Sequence, residues 1–171
     1  MLTRHTGTEP ASGNPLPVLL SDAEVRELAA MERICFPPHE AWSRAMIRQC
    51  LSLDGATLLR WYEDAGQGSM LAGFLIYHAH EAELLTVDVH PDWRRRGIAR
   101  QLMRTAIDDL RALGHRCVTS QTAVENAPSI AMHETMGFSR VKRLPSYYGP
   151  GHDAWLLRLE MTPDSADKTP E

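Results

Sequence analysis

One stretch limits what this 171-residue chain can fold into: Leu85-Thr86-Val87-Asp88-Val89-His90-Pro91-Asp92-Trp93-Arg94-Arg95-Arg96-Gly97-Ile98-Ala99-Arg100-Gln101-Leu102. It runs apolar like a buried strand, breaks at Pro91, and resumes as an amphipathic helix with a basic, glycine-containing mouth. The first N–H groups of a helix lack intrahelical partners and carry partial positive charge, so such a mouth binds anions. Arg94, Arg95, Arg96 and Arg100 add charge around it. Gly97 has no Cβ, which lets a ligand oxygen approach the main chain, and small Ala99 leaves the amide beside Ile98 equally open. The expected ligand is anionic and phosphorylated. It is not held by a Walker loop, because no Gly-Lys-Ser/Thr follows, nor by a GxGxxG turn.

The length fits one domain with a substantial core. A net charge of −4 gives no general electrostatic case for nucleic acid, so the basic patch reads as a local phosphate site. The three cysteines, Cys35, Cys50 and Cys117, have no CxxC spacing, which argues against a disulfide framework or a zinc site. No apolar run approaches the roughly 20 residues that span a bilayer, and the N-terminus does not resemble a signal peptide. A cytoplasmic protein without membrane or nucleic-acid partners is expected, as a monomer or homodimer.

Residues 1–15 are polar and rich in Gly and Pro, and read as a flexible tail, as do residues 162–171. Between them, residues 16–161 read as one domain. Leu16 to Leu20 suits a first strand, and Ser21 with Glu24 makes a capping box opening a helix that stops at Phe36-Pro37-Pro38. A second helix is expected from Trp42 or Ser43 to Leu51. Strands follow at Ala56 to Glu63, Met70 to His80 and Glu83 to Val89, then a helix from Ile98 to Leu113 closed by Gly114. Arg116 to Thr122 reads as a strand, and Asn126 to Met136 as a helix with Ile130, Ala131 and Met132 inward. Phe138 to Leu144 and Asp153 to Met161 complete the strands. The order β-α-α-β-β-β-α-β-α-β-β implies a mixed sheet with helices on both faces.

Two motifs carry a family resemblance. Arg94-x-x-Gly97-x-Ala99 after Val-Asp-Val-His-Pro is similar to the acetyl-coenzyme A motif (Q/R)xxGx(G/A) of the GNAT N-acetyltransferases. Glu125-Asn126-x-x-Ser129-Ile130-Ala131-x-His133-Glu134-x-Met136-Gly137-Phe138 resembles that family's N-x-x-A-I-x-x-Y-E-x-x-G-F. More narrowly, Cys35-Phe36-Pro37-Pro38 with Trp42-Ser43, and Tyr147-Tyr148 before Asp153-Ala154-Trp155-Leu156-Leu157, resemble the ribosomal-protein alanine and other protein N-terminal acetyltransferases of the RimI type. The resemblance implies an α/β (α+β) GNAT fold: a mixed, mostly antiparallel sheet of six to seven strands, splayed at the centre and flanked by about four helices.

It also implies acetyl transfer from acetyl-CoA to a primary amine, by direct attack, with a protein N-terminus as first acceptor. The implied cofactor contacts are the amides of Val87 and Val89, the turn Arg94 to Arg100 including Arg95, Arg96, Gly97, Ile98 and Ala99, and Asn126 with Ser129. Phe36, Trp42 and Tyr148 would wall the acceptor groove. Glu83 matches the family's base position and would act through water; read from the residues alone, a solvated strand-end glutamate fits as well. His133 stands where the RimI type has an acidic tyrosine, and Gln121 where it has a glutamate, so the proton for sulfur comes from His133 or from Tyr147. Asp88 is expected to face away from the phosphate turn. No metal is expected at His78, His80, Glu81 and His90. A small-amine acetyltransferase and a catalytically degenerate acyl-CoA-binding module are the alternatives.

Overall fold

The structure, a computed structural model, describes residues 1–5, 19–64, 66 and 68–161. These form four α-helices and a seven-stranded sheet. An edge strand β1 (Leu2–His5) precedes α1 (Asp22–Cys35) and α2 (Arg44–Leu51). Then come β2 (Ala56–Asp64), β3 (Ser69–His78), β4 (Glu83–Val89), α3 (Ile98–Ala112), β5 (Cys117–Ala123), α4 (Ala127–Thr135), β6 (Ser139–Leu144) and β7 (Ala154–Glu160). The strand order is β1-β2-β3-β4-β5-β7-β6, antiparallel throughout except for the parallel β4–β5 pair.

The local signals act as chemistry requires. Ser21 and Glu24 close the reciprocal capping box on α1, and Pro37 follows where that helix stops. Ser43 caps α2 by accepting from the Met46 amide. Alternating side chains of β2 and β3 feed two cores. Leu59 and Leu75 join Leu102, Met103 and Leu110 of α3 on one face. Leu58, Phe74 and Ile76 join Val25 and Leu28 of α1 and Ile47 of α2 on the other.

The parallel pair positions the site. β4 and β5 pair at Glu83↔Thr119 and Leu84↔Ser120 and then part. β5 stays with β7 along its whole length, while β4 follows β3 through a register shift at Ile76/Tyr77. Such a bulge increases local twist, and the sheet opens between β4 and β5.

Three expectations need correction. Residues 2–5 are not a tail but the strand β1, because β2 offers an unpaired edge and main-chain pairing Leu2↔Trp61 through His5↔Leu58 orders it. The strand expected at Leu16 to Leu20 falls outside the described residues up to position 18, and Leu19 and Leu20 are not in a strand. In α4, Ile130 is buried and Met132 packs partly buried against the core as expected, but Ala131 is exposed and His133 is buried in its stead, with Phe138 edge-on to its ring at a centroid distance of 5.1 Å.

Candidate functional site

A cleft of about 830 Å³ runs through the opening between β4 and β5. Its floor is main chain. The His90 amide donates to the Ala72 carbonyl at 3.0 Å, and Gly73↔Val89 and Leu75↔Val87 are Cα partners. In an antiparallel ladder this makes both pairs non-hydrogen-bonded, so the N–H and C=O of Val87 and Val89 point away from β3, into the opening. The Val89 carbonyl is taken by Arg94 Nε at 3.0 Å and the Cys35 thiol at 3.4 Å, which ties the turn and α1 to the strand end.

The turn after β4 is a single 3-10 turn, Pro91–Trp93, leading to Arg95 at φ 62° and Gly97 at φ 82°. Gly97 is the N-cap of α3, and no protein atom would meet a Cβ placed there. Glycine therefore supplies the left-handed backbone and an unobstructed approach to the helix mouth. Arg94, Arg95, Gly97, Ile98, Ala99 and Arg100 line the cleft. Arg96 does not: its guanidinium lies 4.6 Å from the centre of the Trp93 ring, apart from the other expected phosphate contacts.

On the α4 side, Asn126 caps the helix by accepting from the Ser129 amide at 3.2 Å, and both residues line the cleft. His133 also lines it but is only 2% exposed. Its Nδ1 lies 2.8 Å from the Ser129 carbonyl, an acceptor, so Nδ1 carries the proton and Nε2 the lone pair. Nε2 has no partner among the described residues, and burial pushes the imidazole below its ordinary pKa. A neutral ring in this tautomer has no proton at Nε2 to give.

Those tyrosines stand on the β6–β7 loop at the other side of the opening. The Tyr147 hydroxyl donates to Gln121 Oε1 at 3.4 Å and the Tyr148 hydroxyl to the Gln121 carbonyl at 3.3 Å. Burial holds both phenols above the ordinary range, Tyr148 further than Tyr147, so both keep their protons. Gln121 thus anchors the tyrosines. Phe36, Glu40 and Trp42 of the α1–α2 loop close the same end, and His39 stacks on His152 of the tyrosine loop with ring centroids 3.7 Å apart. Glu83 is not among the cleft-lining residues; it lies at the closed end, where β4 still pairs with β5.

Sequence reasoning missed Glu32. It is fully buried, lines the cleft, accepts from the Trp42 amide at 3.0 Å, and meets Thr86 Oγ1 at 3.1 Å. Thr86 in turn meets Asp88, also fully buried, at 2.9 Å. The Asp88 carboxyl lies between Cys35 of α1 and Arg94 of the turn, so the expectation that it faces away from the phosphate turn is not met. The available signal was a glutamate four residues after Leu28 and seven after Val25, on the apolar stripe of α1.

The site is thus a parallel strand pair parted around unpaired main chain, with a basic helix mouth on one side and an aromatic groove on the other. Residues 23–138 match the Acetyltransferase (GNAT) family, and the chain belongs to it. It is 34% identical over 85 residues to the [ribosomal protein bS18]-alanine N-acetyltransferase of Salmonella typhimurium, covering 48% of this chain and 57% of that protein. It is 35% identical over 81 residues to N-alpha-acetyltransferase 30 of Saccharomyces cerevisiae, covering 47% and 46%. The chain spans about half the length of the curated relatives it matches. The crystal structure of the Escherichia coli ribosomal-protein-S18-alanine N-acetyltransferase shares the fold at a TM-score of 0.70 and 20% identity, covering 100% of this chain and 99% of that one.

The family uses acetyl-CoA, and the residues present fit it. The unobstructed Gly97 mouth with its arginines suits a pyrophosphate, and the inward Val87 and Val89 main chain suits an amide-bearing pantetheine; Trp93 also lines the cleft, and its buried indole N–H has no partner among the described residues.

Proposed function

We propose that this chain transfers acetyl from acetyl-CoA to a primary amine at the N-terminus of a protein or peptide. The observation that carries the reading is the convergence of Phe36 and Trp42 with Tyr147 and Tyr148 on the opening of β4 and β5, opposite the basic Gly97 turn. An extended peptide end, entering between those two loops, would present its amine where Val87 and Val89 offer main-chain groups. The relatives named for alanine and Nα acetylation support a peptide acceptor.

Acetyl-CoA supplies a thioester whose carbonyl carbon accepts the amine. Arg94, Arg95, Arg100 and the α3 mouth hold its pyrophosphate, with Asn126 and Ser129 on the α4 side. The inward amides of Val87 and Val89 orient the pantetheine and polarise the thioester oxygen. Tyr147 keeps its proton near neutrality and donates it to the departing sulfur. An amine that is ammonium at neutral pH must first lose a proton. From its place at the closed end, Glu83 would take that proton only through water.

The test is thiol release from acetyl-CoA against two pools, peptides with free and varied first residues, and small amines. Turnover with peptides alone is the expected result. Turnover with small amines alone would replace the acceptor, and coenzyme A binding with no transfer to either pool would replace the enzyme by a binding module.

A further inference from the structure

Glu32, Thr86 and Asp88 form a chain of three polar side chains under the acceptor end of the cleft. Thr86 Oγ1 lies 3.1 Å from Glu32 Oε1 and 2.9 Å from Asp88 Oδ2. A hydroxyl carries one proton and can donate to one of these oxygens only; the other contact requires a proton on a carboxyl. Both carboxyls are fully buried, and burial raises both, with repulsion from Glu32 raising Asp88 further. The trio therefore holds one proton more than two carboxylates would.

The surroundings say which carboxyl keeps it. Glu32 receives two donors, the Trp42 amide and the Thr86 hydroxyl, and hydrogen bonds to the charged form favour it. Asp88 Oδ1 has no partner among the described residues, as suits a neutral acid. The chain runs Asp88 O–H to Thr86 Oγ, and Thr86 O–H to the Glu32 carboxylate. Glu32 and Thr86 line the cleft, and Asp88 lies behind them. The other titratable or charged groups facing the trio are the Cys35 thiol and Arg94 beside Asp88, and the Tyr148 phenol beside Glu32.

We propose that Glu32 takes the proton from the acceptor ammonium, with Thr86 and Asp88 holding it in the ionised, cleft-facing state. This rests on the acetyl-transfer reading and replaces Glu83 as the base. An ammonium N–H bond breaks and a Glu32 Oε–H bond forms. The freed nitrogen lone pair makes the C–N bond at the thioester carbonyl carbon. The C–S bond breaks, and sulfur takes its proton from the Tyr147 phenol. The nitrogen then loses a second proton, which restores the phenol, and Glu32 returns its proton to solvent.

The test compares wild type, Glu32→Gln and Thr86→Val for acetylation of the peptide pool across pH, with acetyl-CoA affinity measured by calorimetry on each. Glutamine keeps an acceptor for the Trp42 amide, so the loop stays tied. We expect Glu32→Gln to lose about 100-fold in kcat, the lower range for a general base, with acetyl-CoA affinity unchanged. Thr86→Val keeps the side-chain shape and the Trp42 contact but removes the bridge. The acid limb of its kcat/KM profile moves up by about one pH unit, because ionised Glu32 has lost a donor. A merely structural Glu32 would leave that limb in place. Glu32→Gln retaining more than a third of wild-type kcat, or a Thr86→Val profile that superimposes on wild type, overturns the inference and leaves the acetyltransferase reading standing. A wild type that acetylates neither pool overturns that reading, and the inference with it.

Discussion

The two ends of the cleft are built in opposite ways. The coenzyme end is mostly local: β4, the Pro91–Trp93 turn and the α3 mouth are consecutive in the chain and supply main-chain groups and arginines, with Asn126 and Ser129 on the α4 side added from further along. The acceptor end is assembled from Glu32 of α1, Phe36 and Trp42 of the following loop, Thr86 of β4, Gln121 of β5 and Tyr147 with Tyr148 of the β6–β7 loop. Helix mouths and strand amides need few side chains, here Gly97 and the nearby arginines, so a short motif suffices to specify most of the first end. The second depends on long-range contacts, such as Trp42 N–H to Glu32, the two tyrosines on Gln121, and His39 on His152. Damage to one end should therefore appear in cofactor affinity, and damage to the other in turnover.

The largest effect that would break this division is at Tyr147. Tyr147→Phe should lower kcat about 100-fold, with acetyl-CoA affinity by calorimetry unchanged, if its phenol protonates sulfur. A loss confined to acetyl-CoA affinity would erase the distinction. Next, Arg95→Ala with Arg100→Ala should weaken acetyl-CoA binding about tenfold and flatten its dependence on salt, with kcat at saturation near wild type. Titrations at two ionic strengths read this directly.

A smaller effect sharpens the contrast through stability. Glu32 has a folded pKa raised above its unfolded value, so its contribution is fully present below the unfolded pKa and is lost as pH rises through the folded pKa. Glu32→Gln removes that loss. Its Tm should exceed wild type by about 2–4 °C at pH 8 and by less at pH 5, since buried charge is costly. Glu24 behaves in the opposite sense. Hydrogen bonds from Ser21 and then Arg60 hold it down to about 2, so its stabilisation is present above its unfolded pKa and fades as pH falls toward 2. Thermal melts of Glu24→Gln should show a deficit at pH 7 that closes in acid. The smallest effect belongs to Arg96→Ala, which should change acetyl-CoA affinity less than twofold, because that guanidinium sits on Trp93 outside the cleft. A tenfold loss would return Arg96 to the phosphate site.

Much of the fold was legible because its signals are short-range. The capping box at Ser21, the break at Pro37 and the glycines after α3 and α4 each act within one helical turn, and those boundaries fall within a residue or two of expectation. β1 escaped because Leu2–His5 carries no strand signal of its own; the β2 edge orders it. In α4 Ile130 and Met132 turn inward as expected, but Ala131 does not, because in a helix of nine residues with scattered apolar groups the buried place goes to His133 against Phe138. Arg94, Arg95 and Arg96 read as equivalent, yet consecutive residues leave a turn in different directions, and the left-handed backbone at Arg95 sends Arg96 to the Trp93 ring.

The sequence by itself determined the strand, turn and helix mouth that make an anion site, the order of elements around it, and the family to which they belong, because each rests on contacts a few residues apart. Only the tertiary structure decided how far β4 and β5 separate, which tautomer His133 keeps, that Gln121 holds two tyrosines, and that Glu32 and Asp88 meet across one hydroxyl. Those properties depend on distances between residues tens of positions apart and on burial, and burial sets the charge a carboxyl or imidazole can carry.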